Sequence, residues 1–142
     1  MEPGIYCLLL ENGPADVAVG SLGSLRFRRG WHLYVGSALG PGGLARVERH
    51  HRLYRDRDRL PRWHIDHLLL SSEFRLRAVV SAETGEDLEC RLAETVGPPF
   101  VPGFGCSDCT CPSHLFYRQA RPESEVVRAF RSLELVPVIT TL

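Results

Sequence analysis

Lysine is absent from this chain: all 17 basic side chains among its 142 residues are arginine. Without lysine there is no Walker-type phosphate loop and no Schiff-base chemistry, because both need the amine. An excess of either charge is missing too, since 17 acids balance the 17 arginines. Attachment to nucleic acid or to an anionic membrane by bulk charge is thereby excluded, although local patches are not. The longest apolar run near the N-terminus, Ile5 to Leu10, is shorter than a signal-peptide core or a membrane span. A cytoplasmic protein with no membrane partner is the expectation; composition fixes no oligomeric state. The five cysteines are an odd number, and Cys106, Cys109 and Cys111 crowd together. That pattern argues against a secreted disulfide framework and for reduced thiols, with a metal ion as one destination.

What is present suits one core. At 15.9 kDa and 44% apolar residues, a single domain over residues 1–142 is expected, with 103–142 as a C-terminal extension carrying the cysteines. GIYCLLL, Gly4 to Leu10, reads as a strand apolar on both faces, closed by Asn12-Gly13-Pro14. Short strands are expected at Val17 to Val19, Ser24 to Arg28 and Trp31 to Gly36. In the last, alternation sends Trp31, Leu33 and Val35 to one face and His32 and Tyr34 to the other. A helix is predicted over about Leu44 to Arg55, with Leu44, Val47, His51 and Tyr54 on one stripe and Arg46, Arg49 and His50 on another side. Trp63 to Leu70 reads as a short helix, Leu76 to Ser81 as a strand and Glu86 to Val96 as a helix stopped by Gly97-Pro98-Pro99. A strand at His114 to Arg118 and a helix at about Glu123 to Leu133 complete the series of expected elements.

Charge is unevenly distributed. Arg46, Arg49, Arg52, Arg55, Arg57, Arg59 and Arg62 face only Glu48, Asp56 and Asp58, so residues 46–62 carry +4 and the remainder −4. Guanidinium groups at this spacing suit a phosphate backbone, each contact adding salt-dependent affinity; the plainer reading is a solvated helix with local ion pairs. Cys106-x2-Cys109-x-Cys111-x2-His114 sets three thiols and an imidazole within nine residues. This is a candidate zinc site whose first pair has zinc-knuckle spacing. A less cramped set would draw on His32, His64 or Cys90. The alternative is a compact loop of small buried thiols with turn hydrogen bonds from Ser107 or Asp108. In Trp63-His64-Ile65-Asp66-His67, His64 and Asp66 read chiefly as a buried polar network beside Trp63.

Gly4-Ile5-Tyr6 on a first strand, then Tyr34-Val35-Gly36 leading into a helix that carries Arg46 and, one turn later, His50, resembles the GIY-YIG endonuclease superfamily. YVGSALG, RVERH, WHID, ECRLA and GFGCSDCTCPSHLFY, in that order, resemble its small Uri-type branch, domain of unknown function 123. The resemblance runs from Gly4 to about Tyr117. It implies an α+β fold, a small, mostly antiparallel sheet with a β-β-α-α-β-α core flanked by helices, together with one divalent ion, Mg²⁺ or Mn²⁺, and hydrolysis of phosphodiester bonds in nucleic acid, DNA rather than RNA. Tyr6 would take the proton of the attacking water, Tyr34 would orient water or phosphate, and Arg46 would stabilise developing negative charge. His50 would supply a second polar or acid–base group. Gly36 would let phosphate approach the backbone, and Arg49, Arg52 and Arg55 would hold the nucleic acid. Glu89 is the implied metal ligand, with Glu94 the alternative; five residues apart on a helix, they diverge by roughly 140° and do not share one site. The chain departs from many relatives in lacking the motif's closing asparagine, since Asn12 is its only one. A non-catalytic nucleic-acid-binding module on the same fold is the alternative function.

Overall fold

The computed structural model describes residues 1–106 and 110–142. Its centre is β1 (Gly4–Asn12), which is buried along nearly its whole length because apolar side chains leave it on both faces. β1 pairs antiparallel with β4 (Gly30–Ala38) on one side and β5 (Phe74–Glu83) on the other. β6 (Leu115–Arg118) then adds to β4, and β7 (Val138–Thr141) to β5, which gives a five-stranded antiparallel sheet in the order β6-β4-β1-β5-β7. A separate hairpin joins β2 (Ala15–Ala18) to β3 (Ser24–Phe27).

The alternation of side chains across the sheet divides the core in two. On one face Ile5, Cys7, Leu9, Leu33 and Val35 pack with Leu92 and Val96 of α3 (Glu89–Val96) and with Val126 and Phe130 of α4 (Glu123–Ser132). On the other, Tyr6, Leu8 and Leu10 meet Leu53 of α1 (Ala45–Asp56) and Ile65, Leu68 and Leu69 of α2 (His64–Leu69). The α+β class, the flanking helices and the split of β4 into two faces follow the sequence pattern. No helix among the described residues is long and apolar enough to cross a membrane.

Three differences from the sequence pattern bear on the site. Leu44, just ahead of α1, and Val47 and Tyr54 within it do touch the core, but the deepest side chains of that helix are His50 and Leu53. His50 therefore belongs to the packed face rather than to a polar one, because a partner for its imidazole waits on β1. The helix expected from Glu86 starts at Glu89: the Glu86 amide donates to Thr84 Oγ1 at 3.1 Å, and this turn holds the chain out of helix for three more residues. β7 was not foreseen.

Candidate functional site

The register of β1 and β4 sets Tyr6 directly opposite Gly36. A Cβ at position 36 would overlap the Tyr6 phenol ring, so glycine there makes room for the ring. The space over Gly36 expected to admit phosphate is thus filled by Tyr6. Directed to the α1 side of the sheet, Tyr6 Oη lies 2.7 Å from His50 Nε2, both groups being buried. Burial, with Arg46 and Arg49 close by, lowers the His50 pKa to about 3. The imidazole is therefore neutral near neutral pH, and with its proton on Nδ1 it accepts the phenol O–H. Burial raises the Tyr6 hydroxyl well above the usual phenol value, Tyr34 adding to the effect and Arg46 opposing it. Tyr34 is raised as well, first by burial and then by Glu89.

Arg46, one helical turn before His50, donates from Nη1 to the Ser37 carbonyl at 2.9 Å, and this bond ties the guanidinium to the end of β4. Its Nε is the one buried side-chain nitrogen or oxygen among the described residues that has no hydrogen-bond partner. A buried, permanently charged donor left in that state is costly unless an acceptor arrives. Trp63, 38% exposed, covers the same region, its ring 5.4 Å from Arg46 Cζ and 5.8 Å from Arg62 Cζ.

These side chains border one open cavity of about 560 Å³, lined by Tyr6, Tyr34, Arg46, His50, Trp63 and Glu89 among others. Five residues expected to act together, Tyr6, Tyr34, Arg46, His50 and Glu89, therefore do converge. Glu89 reaches the cavity from the first turn of α3. Glu94 lines a different cavity with Ala93, Pro98 and Phe100, as their helical separation requires. Asp87 also lines the site; sequence reasoning passed over it because it lies in the turn ahead of α3. Arg49, Arg52 and Arg55 are exposed on α1, outside this cavity, and Arg55 Nε pairs with Asp56 at 2.8 Å.

His64 lies on the cavity wall and accepts the Gly105 amide at its Nδ1, 2.8 Å away. Asp66 is buried and accepts the Arg62 and Trp63 amides at 2.9 and 3.1 Å, which holds the start of α2. His32 is committed elsewhere, its Nδ1 2.7 Å from Asn12 Oδ1.

Of the expected Cys106, Cys109, Cys111 and His114, the last two meet Cys90, one of the residues named for a wider set. Cys109 lies outside the described residues, and the Cys106 thiol donates to the Phe104 carbonyl at 3.5 Å. Among the described residues, the ligand atoms of Cys90, Cys111 and His114 come together, within 4.8 Å of one another. Cys90 and Cys111 are joined as a disulfide, with Cα atoms 5.5 Å apart, in place of the expected reduced thiols. His114 Nε2 is 2.9 Å from Cys111 Sγ, and His114 Nδ1 is 3.6 Å from Glu89 Oε2. The cluster and the cavity thus share a wall.

A family model described as domain of unknown function DUF123 matches residues 5–135. No curated protein and no solved structure matches the chain.

Proposed function

We propose, for a chain that belongs to the DUF123 family, the function of a metal-dependent endonuclease that hydrolyses phosphodiester bonds in nucleic acid, DNA in preference to RNA. The observation that carries the reading is the convergence of Tyr6, Tyr34, Arg46, His50 and Glu89 on one cavity in which Arg46 Nε has no partner. The reading takes the chain as a relative of the GIY-YIG endonucleases, whose two tyrosine-bearing strings are here neighbouring strands.

A phosphate entering the cavity supplies the acceptor that Arg46 Nε lacks, and the guanidinium then stabilises the negative charge that grows on the phosphoryl oxygens. The same phosphate offsets the positive charge that, after burial, depresses His50. His50 becomes more basic when substrate is bound, and Tyr6 delivers its phenol proton to Nε2 while taking one from the attacking water. Tyr34 orients that water from the neighbouring strand. Asp87 and Glu89, both lining the cavity, would hold Mg²⁺ or Mn²⁺, hard ions that favour carboxylate oxygens. When bound, the ion supplies Lewis-acid polarisation of the phosphoryl group.

The test is Mg²⁺- or Mn²⁺-dependent nicking of plasmid DNA by the wild-type protein, lost in Tyr6→Phe and Arg46→Ala proteins whose circular dichroism is unchanged. A wild-type protein that cuts no DNA or RNA with either ion, yet binds duplex in a salt-sensitive way, would establish the second reading instead. That reading, a non-catalytic nucleic-acid-binding module, is favoured by the exposed row Arg49, Arg52 and Arg55.

A further inference from the structure

In the wall of the cavity, the geometry points to a second, chemically different metal site: Cys90, Cys111 and His114 bind a zinc-class ion in the reduced protein. Sulfur and imidazole donors select such an ion over magnesium. Tetrahedral zinc, with sulfur at about 2.3 Å and nitrogen at about 2.0–2.1 Å, keeps its donors roughly 3.5–4 Å apart, and these three lie within 4.8 Å of one another. They come from two separate stretches, Cys90 from α3 and the other two from the loop before β6, so the ion has no need of four ligands from one short turn.

The imidazole is arranged for the task. His114 turns Nε2 toward the sulfur of Cys111 at 2.9 Å and Nδ1 toward Glu89 Oε2 at 3.6 Å. A carboxylate behind the non-ligating nitrogen is what holds a metal-binding histidine in the correct tautomer and raises its basicity. His114 is buried, so the ring has little freedom to turn elsewhere. The chemistry closes as follows. A phosphine reductant takes up the oxygen of one water and opens the Cys90–Cys111 bond to two thiols; the ion then displaces the two thiol protons and accepts a lone pair from Nε2. Once bound, it pins the start of α3, and with it Glu89, to the loop that leads into β6.

The test is made on the full chain, reduced with phosphine and supplied with zinc, and needs no nucleic acid, so its outcome is separate from that of the nuclease reading. One zinc per chain is expected by elemental analysis, and cobalt substitution should produce the thiolate-to-metal charge-transfer band of a tetrahedral site. Cys90→Ser and Cys111→Ser should each lose both signals. Glu89→Gln should retain a full equivalent of zinc with affinity about tenfold weaker. Should the serine variants fold poorly, alkylation mapping of the wild-type protein decides: zinc should protect Cys90 and Cys111 from iodoacetamide. Reduced wild-type protein that takes up no zinc, gives no charge-transfer band and alkylates equally with and without the metal would overturn the assignment.

Discussion

Tyr6 and His50, 44 positions apart in sequence, are joined by a 2.7 Å hydrogen bond between two buried side chains. Burial fixes which of the two holds the proton: it raises the phenol and lowers the imidazole, so the ground state is a neutral phenol donating to a neutral imidazole. It also couples the fold to pH. His50 titrates at about 3 in the folded chain against 6.5 in its unperturbed state, so the unfolded chain binds the extra proton between those values. The stabilisation is fully present above about pH 6.5 and is lost as pH falls toward about 3, with a size on the order of a few kcal/mol. His32, lowered to about 4 by burial, contributes over much of the same window. Denaturant melts across this range should therefore show a steep acid loss in wild type and a shallower one in His50→Gln, the difference being the share of His50. Parallel curves would show that His50 is not buried neutral.

Gly36 and Tyr6 should be energetically coupled. Gly36→Ala puts a methyl group where the Tyr6 ring lies, and overpacking of this kind costs about 1–3 kcal/mol. Tyr6→Leu removes the ring and should make the second substitution nearly free, giving a coupling of at least about 1 kcal/mol in a double-mutant cycle. Additive effects in chemical denaturation would mean that the ring moves aside without cost.

The exposed face of α1 is testable by its response to salt. If Arg49, Arg52 and Arg55 each neutralise one phosphate, replacing all three by alanine lowers the slope of log affinity against log salt by up to about 2.7 on duplex DNA. Arg55 already pairs with Asp56, so a loss of roughly 2, from Arg49 and Arg52, is the expected figure. Fluorescence anisotropy with a labelled duplex at several salt concentrations measures it. An unchanged slope removes this face from the interface.

The relation between pattern and structure is clearest at particular residues. GIYCLLL is apolar on both faces and lies at the centre of the sheet, since only a strand covered on both sides buries such a run. The facing of Tyr34 followed from strict alternation. His50 falls outside the stripe that local spacing picks on α1, because that stripe takes in His51 instead and the partner that meets the buried His50, Tyr6, lies on another element. β7 was invisible for a related reason: Val138 and Ile139 are exposed and form a strand only by pairing with β5, some 60 residues earlier. The meeting of Cys90 with Cys111 and His114 is likewise non-local. Local spacing favoured the short Cys106 to His114 run and offered Cys90 only as one of three residues for a wider set; of those three it is Cys90 that the fold brings beside Cys111 and His114.

Glu89 and Glu94 give the sharpest separation of roles. Both are carboxylates on α3, but Glu89 faces Tyr6, Tyr34 and Arg46 across the cavity, whereas Glu94 lines another one. Loss of charge at Glu89 should therefore abolish metal-dependent cleavage, and the same change at Glu94 should leave it within about twofold. The substitution has to be Glu89→Gln. Glu89 also faces His114 at 3.6 Å, and glutamine keeps a carbonyl oxygen of the same reach and volume there, so folding should change by no more than about 1 kcal/mol while the anionic donor for a hard cation is gone. Cleavage rates titrated against Mg²⁺ and Mn²⁺, alongside thermal melts of both variants, make the comparison. If Glu94→Gln loses activity and Glu89→Gln retains it, the metal lies on the other side of α3 and the cavity at Tyr6 is not the reaction centre.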